Sequence, residues 1–155
     1  MWKQQQFEHV FEHSAHIIER AFEQGAPATA DALFQQIVHV VASLTEDEQL
    51  QLLRAHPSLG AKIDMTDASV QEQTSAGLTS LSEAQYEAFS KMNVAYEERF
   101  GFPFIIAVKG KTVDDIYDVM EHRIVNSYNE ERREALEQVL LIARYRFEQI
   151  VGVSV

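Results

Sequence analysis

The chain holds one strand-like run, FPFIIAV at Phe102 to Val108, and no second segment for it to pair with. A lone strand has no ladder in which to place its backbone amides and carbonyls, so it cannot found a sheet. The run is therefore expected as buried extended chain, and the remaining apolar residues have to form a core by helix packing.

Their spacing agrees. Phe7, Val10, Phe11, Ile17, Ile18, Ala21 and Phe22 recur with helical period, and Gly25 to Pro27 closes that segment. Leu33, Phe34, Ile37, Val40, Val41 and Leu44 continue the period after a start at Thr29 or Asp31. Thr45 to Glu48 and Ser82 to Gln85 match capping boxes, in which hydroxyl and carboxylate or amide satisfy each other's free backbone amides. The first opens a short helix that stops before Pro57. The second opens a helix with Tyr86, Phe89, Tyr96 and Phe100 on one face. Pro57 to Asp67 reads as loop, and Ser69 to Glu72 as the start of a short helix that Gly77 closes. Val113, Ile116, Tyr117, Met120 and Ile124 mark a further helix, and Leu136, Val139, Leu140, Ala143, Phe147 and Ile150 the last. The expected fold is all-α, a single domain over residues 1–155 with roughly seven to eight helices.

Composition narrows the function classes. Thirteen Lys and Arg face 24 Asp and Glu, a net charge of -11, with no basic cluster of the kind nucleic acid or an anionic membrane requires. There is no cysteine, which removes disulfides, thiolate catalysis and cysteine-bound zinc. The start, MWKQQQFEHVFEHS, has no apolar signal region, and no apolar run reaches membrane-spanning length. A cytoplasmic protein is expected, with a peroxisome as the alternative location.

His56 stands directly before Pro57, which disfavours the α conformation for it and so aims its ring from a stiff helix end. The helix dipole there would raise its pKa. A helix-stop role and a catalytic role are both open. His9, His13 and His16 have helical spacing, but on a solvent face and without a companion motif, so no metal site is expected. His39 and His122 read as solvated or structural. Ser69, Glu72 and Gln73 form either a capping box or a polar pocket wall. Arg146 falls on or beside the apolar face of the last helix, where it needs either an acidic partner or a substrate carboxylate. The backbone of Phe104, Ile105, Ile106 and Ala107 could read the edge of a planar ring, or could simply be a packed crossover.

In order along the chain, FEHSAHIIERA, LLRAHPSLG, SVQEQTSAGL, LSEAQYEAFSKMNVAYEERFGFPFIIAVKGKT and RREALEQVLLIARYRF resemble the OHCU decarboxylase family. That family acts on 2-oxo-4-hydroxy-4-carboxy-5-ureidoimidazoline (OHCU) in urate breakdown. The resemblance implies an all-α homodimer that needs no cofactor and produces (S)-allantoin, in some cases joined to other urate-pathway enzymes. It implies His56 and Glu72 as catalytic groups, and Pro57, Ser69, Gln73, the backbone of the Phe102 to Ile106 run and Arg146 as substrate-binding, with Arg144 the alternative to Arg146. Ser58 replaces an often acidic residue, and Ser14-Ala15-His16 replaces a frequent Ser-Pro-Trp. A carboxylate facing a histidine would give a bell-shaped rate profile between about pH 5 and 9. The competing class is a non-enzymatic acidic helical interaction module, which would show a filled core around Arg146 in place of a polar cavity.

Overall fold

The computed structural model describes residues 2–60 and 66–155. Among them, one 3₁₀ turn at Gln4–Gln6 precedes seven α-helices: α1 His16–Phe22, α2 Ala30–Ala42, α3 Glu46–Arg54, α4 Asp67–Ser75, α5 Glu83–Phe100, α6 Val113–Arg123 and α7 Tyr128–Val151. The local start signals hold where they were read. Thr29 caps α2, and Thr45 with Glu48 and Ser82 with Gln85 close capping boxes on α3 and α5. Gly101 ends α5 in the left-handed region, at φ 79°, where a side chain is disfavoured. None of these helices is long and apolar enough to cross a membrane.

The longest helix, α7, touches α2, α3 and α5, while α1 and α2 pack on each other. Val139, Ala143 and Phe147 carry its buried stripe, and Phe147 stacks on Phe7 at 5.0 Å and meets Phe34 at 5.2 Å. Residues Phe102 to Val108 form no strand and are buried throughout, as a run without a pairing partner must be. Two side chains satisfy this run from behind: Arg123 Nη1 donates to the Ile105 carbonyl at 2.7 Å, and the Ala107 amide donates to Gln138 at 2.9 Å. Arg123 also lies over the Phe104 ring at 4.4 Å and pairs with fully buried Glu131. Asn126 and the Tyr96 hydroxyl also donate to that carboxylate, and burial beside Glu131 pushes the Tyr96 phenol far above its ordinary pKa.

Three expectations need correction. Residues 7–15 are not helical; they run through tight turns that reach only three residues back, such as Val10 N to Phe7 O and Ser14 N to Phe11 O. Each turn advances the chain by about a helical spacing, so Phe7, Val10 and Phe11 are buried just as a helix would bury them. His13, at φ 50°, breaks the helical path, and His9, His13 and His16 therefore do not share a helix face. Among the described residues no group of three or more His, Asp or Glu is placed to hold a metal. Second, Thr66 caps α4, not Ser69, which lies within its first turn. Residues 61–65 of the expected loop lie outside the described residues. Third, Tyr86 and Ile150 are 37% and 40% exposed, off the faces assigned to them.

Candidate active site

Helices α4 and α7, the segment just after α3 and the extended run border a cavity of about 350 Å³. His56, Pro57, Ser69, Glu72, Gln73, Phe104, Ile105, Ile106, Ala107 and Arg146 all line it. The structure thus brings together, from four separate stretches of chain, every residue singled out for the substrate site from sequence except Arg144, the alternative to Arg146.

His56 follows the last turn of α3, its amide donating to the Leu53 carbonyl, and Pro57 prevents continuation. The ring folds back so that Nδ1 lies 3.1 Å from the Leu52 carbonyl. A carbonyl can only accept, so Nδ1 carries the proton and Nε2 keeps a lone pair on a ring that borders the cavity. The helix stop is therefore realised, and the ring that it ends on borders the cavity. Burial lowers the His56 pKa to about 4, opposed by the Leu52 carbonyl and Glu12 and assisted by the nearby Arg146 guanidinium and His13. The sequence-based expectation of a raised pKa is overturned because desolvation of this 8% exposed ring outweighs the helix terminus. Its acid limb belongs near pH 4, below the window expected for a bell-shaped profile.

On α4, Ser69, Glu72 and Gln73 are three and four residues apart and share a face. No Ser69–Glu72 capping box forms, because Thr66 is the cap and Ser69 already lies inside the first turn; Glu72 reaches α7 instead. Arg146 donates from Nε and Nη2 to the two Glu72 oxygens, each at 2.8 Å, and from Nη2 to Ser69 Oγ at 3.1 Å. Its Nη1 turns to the carbonyls of His9 and Val10 at 3.3 and 3.5 Å. All five guanidinium protons thus have protein acceptors. Arg146 is 6% exposed, whereas the Glu72 side chain is 33% exposed and reaches the cavity. Gln73 accepts from the Gly60 amide at 2.9 Å, tying α4 to the segment after His56. Arg144 forms a surface pair with Glu148 and does not line the cavity.

Sequence reasoning missed Glu12. It is fully buried, accepts from the hydroxyls of Thr66 and Ser69, and lies 3.7 Å from Arg146 Nη1. Burial opposes its charge, but those two hydroxyls, Arg146 and His56 together hold its pKa below the ordinary carboxylate value. An acid set between Phe11 and Ile17 in an apolar-periodic stretch was the available signal. Also unforeseen were Lys109 and Lys111 at the cavity edge, with the Lys109 ammonium 4.7 Å from the Tyr145 ring centroid. Two of the backbone groups expected to read a ligand are already engaged, the Ile105 carbonyl and the Ala107 amide. The run's remaining amides and carbonyls, those of Ile106 among them, are what it has left to offer.

A helical domain with a cavity bordered by a buried imidazole and an arginine-held carboxylate belongs to the class of small-molecule acid–base enzymes. The family model for OHCU decarboxylase matches residues 3–148, and the chain belongs to that family. It is 45% identical over 143 residues to the 2-oxo-4-hydroxy-4-carboxy-5-ureidoimidazoline decarboxylase of Haloferax volcanii, covering 92% of this chain and 85% of that protein. It is 39% identical to a uric acid degradation bifunctional protein of Bacillus subtilis, covering 92% of this chain but 29% of that longer one. Among solved structures, an (S)-allantoin synthase superposes with a TM-score of 0.76 at 28% identity, over 95% of this chain and 49% of that one. An OHCU decarboxylase crystallised in the presence of (S)-allantoin shares the fold, with a TM-score of 0.80 at 20% identity, over 97% and 99% of the two chains.

Proposed function

We propose that this protein decarboxylates OHCU to (S)-allantoin, using His56 and Glu72 as its acid–base pair. The observation that carries the reading is a neutral, buried imidazole and an arginine-held carboxylate on one polar cavity. The same cavity disfavours an interaction module, which would have packed the space beside Arg146.

The substrate's C4 bears both hydroxyl and carboxylate, next to a C5=N bond. Losing CO2 sends the C4–carboxyl electron pair into that C=N, giving a C4=C5 bond and negative charge on the ring nitrogen. The substrate is its own electron sink, so the chemistry calls for no carbanion-stabilising cofactor. The nitrogen takes a proton from solvent. The 4-hydroxyl proton moves to C5 as C4 becomes a carbonyl, and one proton is taken up overall. The protein has to hold the carboxylate out of the ring plane and admit a proton to one face of C5. His56 Nε2, with its lone pair, receives the hydroxyl proton. Glu72, fixed in direction by Arg146, works on the opposite side of the same exchange.

Ser69, Gln73 and the Ile106 backbone hold the ring and ureido amides in this reading, against Pro57 and the walls formed by Phe104, Ile105 and Ala107. The guanidinium of Arg146 and the rim ammoniums of Lys109 and Lys111 offset the substrate's charge. Similarity to bifunctional uric acid degradation proteins supports a place beside other urate-breakdown activities. A cytoplasmic homodimer remains part of the proposal. The test is His56→Ala, expected to lower the rate of (S)-allantoin formation by roughly 10²–10⁴-fold. In the unsubstituted protein the rate should stay flat from about pH 5 to 9 and fall as His56 protonates near pH 4. A variant with the parent rate would remove His56 from the mechanism.

A further inference from the structure

Glu12 is the one fully buried carboxylate of the site region that the proposed mechanism leaves without a task. The turns of residues 7–15 deliver it. In a helix, the carbonyls of His9 and Val10 would accept from the amides of His13 and Ser14. Here Ser14 bonds to Phe11 instead, and both carbonyls receive Arg146 Nη1. The same short segment thus supplies two carbonyls and one carboxylate to the guanidinium. Its geometry is kept by the left-handed His13 and by Ser14 Oγ, which donates to the Glu12 carbonyl at 3.0 Å.

Ser69 sits between Glu12 and Arg146. Its single hydroxyl proton goes to Glu12 Oε2, because a carboxylate can only accept. One of its lone pairs takes the Arg146 Nη2 proton at 3.1 Å. Thr66 secures the other Glu12 oxygen by donating its own hydroxyl, and its oxygen accepts from the Ser69 amide at 3.3 Å. A hydroxyl has one proton and two lone pairs, so Ser69 retains one acceptor site, on a residue that lines the cavity.

We propose that Glu12 is a positioning residue that fixes the Ser69 hydroxyl as a hydrogen-bond acceptor toward the cavity, so that the ligand atom meeting Ser69 has to be a donor, an N–H of the ureido or ring-amide class. This rests on the decarboxylase reading, which supplies a ligand with such N–H groups. It also explains why a buried acid is retained without reaching the cavity: a neutral residue of the same shape would let the hydroxyl rotate and offer its proton to the ligand. An N–H pressed against that proton would then lose its acceptor and be repelled.

The test measures kcat and KM for (S)-allantoin formation in Glu12→Gln, Ser69→Ala and the double variant, with thermal melting of each. Because Glu12 acts on the ligand through Ser69, both single variants should raise KM about tenfold, the loss of roughly one hydrogen bond. The double variant should stay within about twofold of Ser69→Ala, since coupled residues are not additive. An unchanged KM in Glu12→Gln, or single effects that multiply in the double variant, would overturn the proposal. If Glu12→Gln does not fold, proton NMR of the unsubstituted chain decides the question. A hydroxyl resonance downfield of the amide region should be lost in Ser69→Ala and kept when (S)-allantoin is added. Its absence, or its loss on adding (S)-allantoin, would contradict the assigned direction. A protein that made no (S)-allantoin would defeat the decarboxylase reading, while the NMR result would still stand on its own.

Discussion

Two arginines are buried in this protein against glutamates, and they serve different ends. Arg123 meets Glu131 in a cluster with formal charges in balance, closed on every side by protein: Tyr96, Asn126 and the Ile105 carbonyl take the remaining bonds. Arg146 meets Glu12 and Glu72, one more acid than base, and the Glu72 side chain is a third exposed to a cavity. The first cluster stands behind the extended run and fixes its shape. The second stands at its mouth with a neutral imidazole beside it. Burial of an ion pair is thus no mark of function by itself. What distinguishes the site is an unbalanced carboxylate with an open side.

Substitution should separate the two. Glu72→Gln removes the open carboxylate and is expected to lower kcat by about 10²–10⁴-fold while costing only about 1–2 kcal/mol of stability. Glu131→Gln should do the reverse. An unpaired Arg123 in the interior costs about 3–5 kcal/mol, a large share of a domain's stability, yet the folded fraction should turn over at close to the parent kcat. Urea denaturation and steady-state rates on both variants check the pair; similar profiles for the two would erase the distinction.

A smaller effect concerns acid. His56 is neutral in the folded protein down to about pH 4 but ionises near 6.5 once unfolded. Between those values the unfolded chain binds more protons, so stability rises with pH through the window and is lost as pH falls. The His56 share is at most about 3 kcal/mol. The lowered pKa of Glu12 adds a loss of the same sign further into acid. Urea midpoints from about pH 7 to 4 should fall, and His56→Ala should flatten that slope; an equal slope in the variant would place the titration elsewhere.

What could be read from sequence was what local chemistry encodes. Capping boxes at Thr45 and Ser82 act within four residues, and the lack of a partner for Phe102 to Val108 needs no structure to notice. His56-Pro57, Ser69, Glu72, Gln73 and Arg146 came to notice through residue type and resemblance, and they do border one cavity. Residues 7–15 misled because successive tight turns bury every third or fourth residue, as a helix does. Glu12 was passed over for a related reason: its place in an apolar stretch could be seen, but its partners could not. Its hydroxyl partners lie 54 and 57 positions away, and no local pattern marks such bonds. The direction of the His56 pKa shift was likewise a property of burial, which a helix-end argument cannot supply.

The most direct test of the central claim, that this cavity decarboxylates OHCU with control of one face, is the handedness of the product. Substrate generated in place by upstream urate-oxidising and hydrolysing activities would be followed by circular dichroism as allantoin appears. The account predicts that the protein speeds product formation and yields the (S) enantiomer alone, and that His56→Ala returns the signal to the slow spontaneous course. Racemic allantoin at the uncatalysed rate, with the folded protein present, would contradict it.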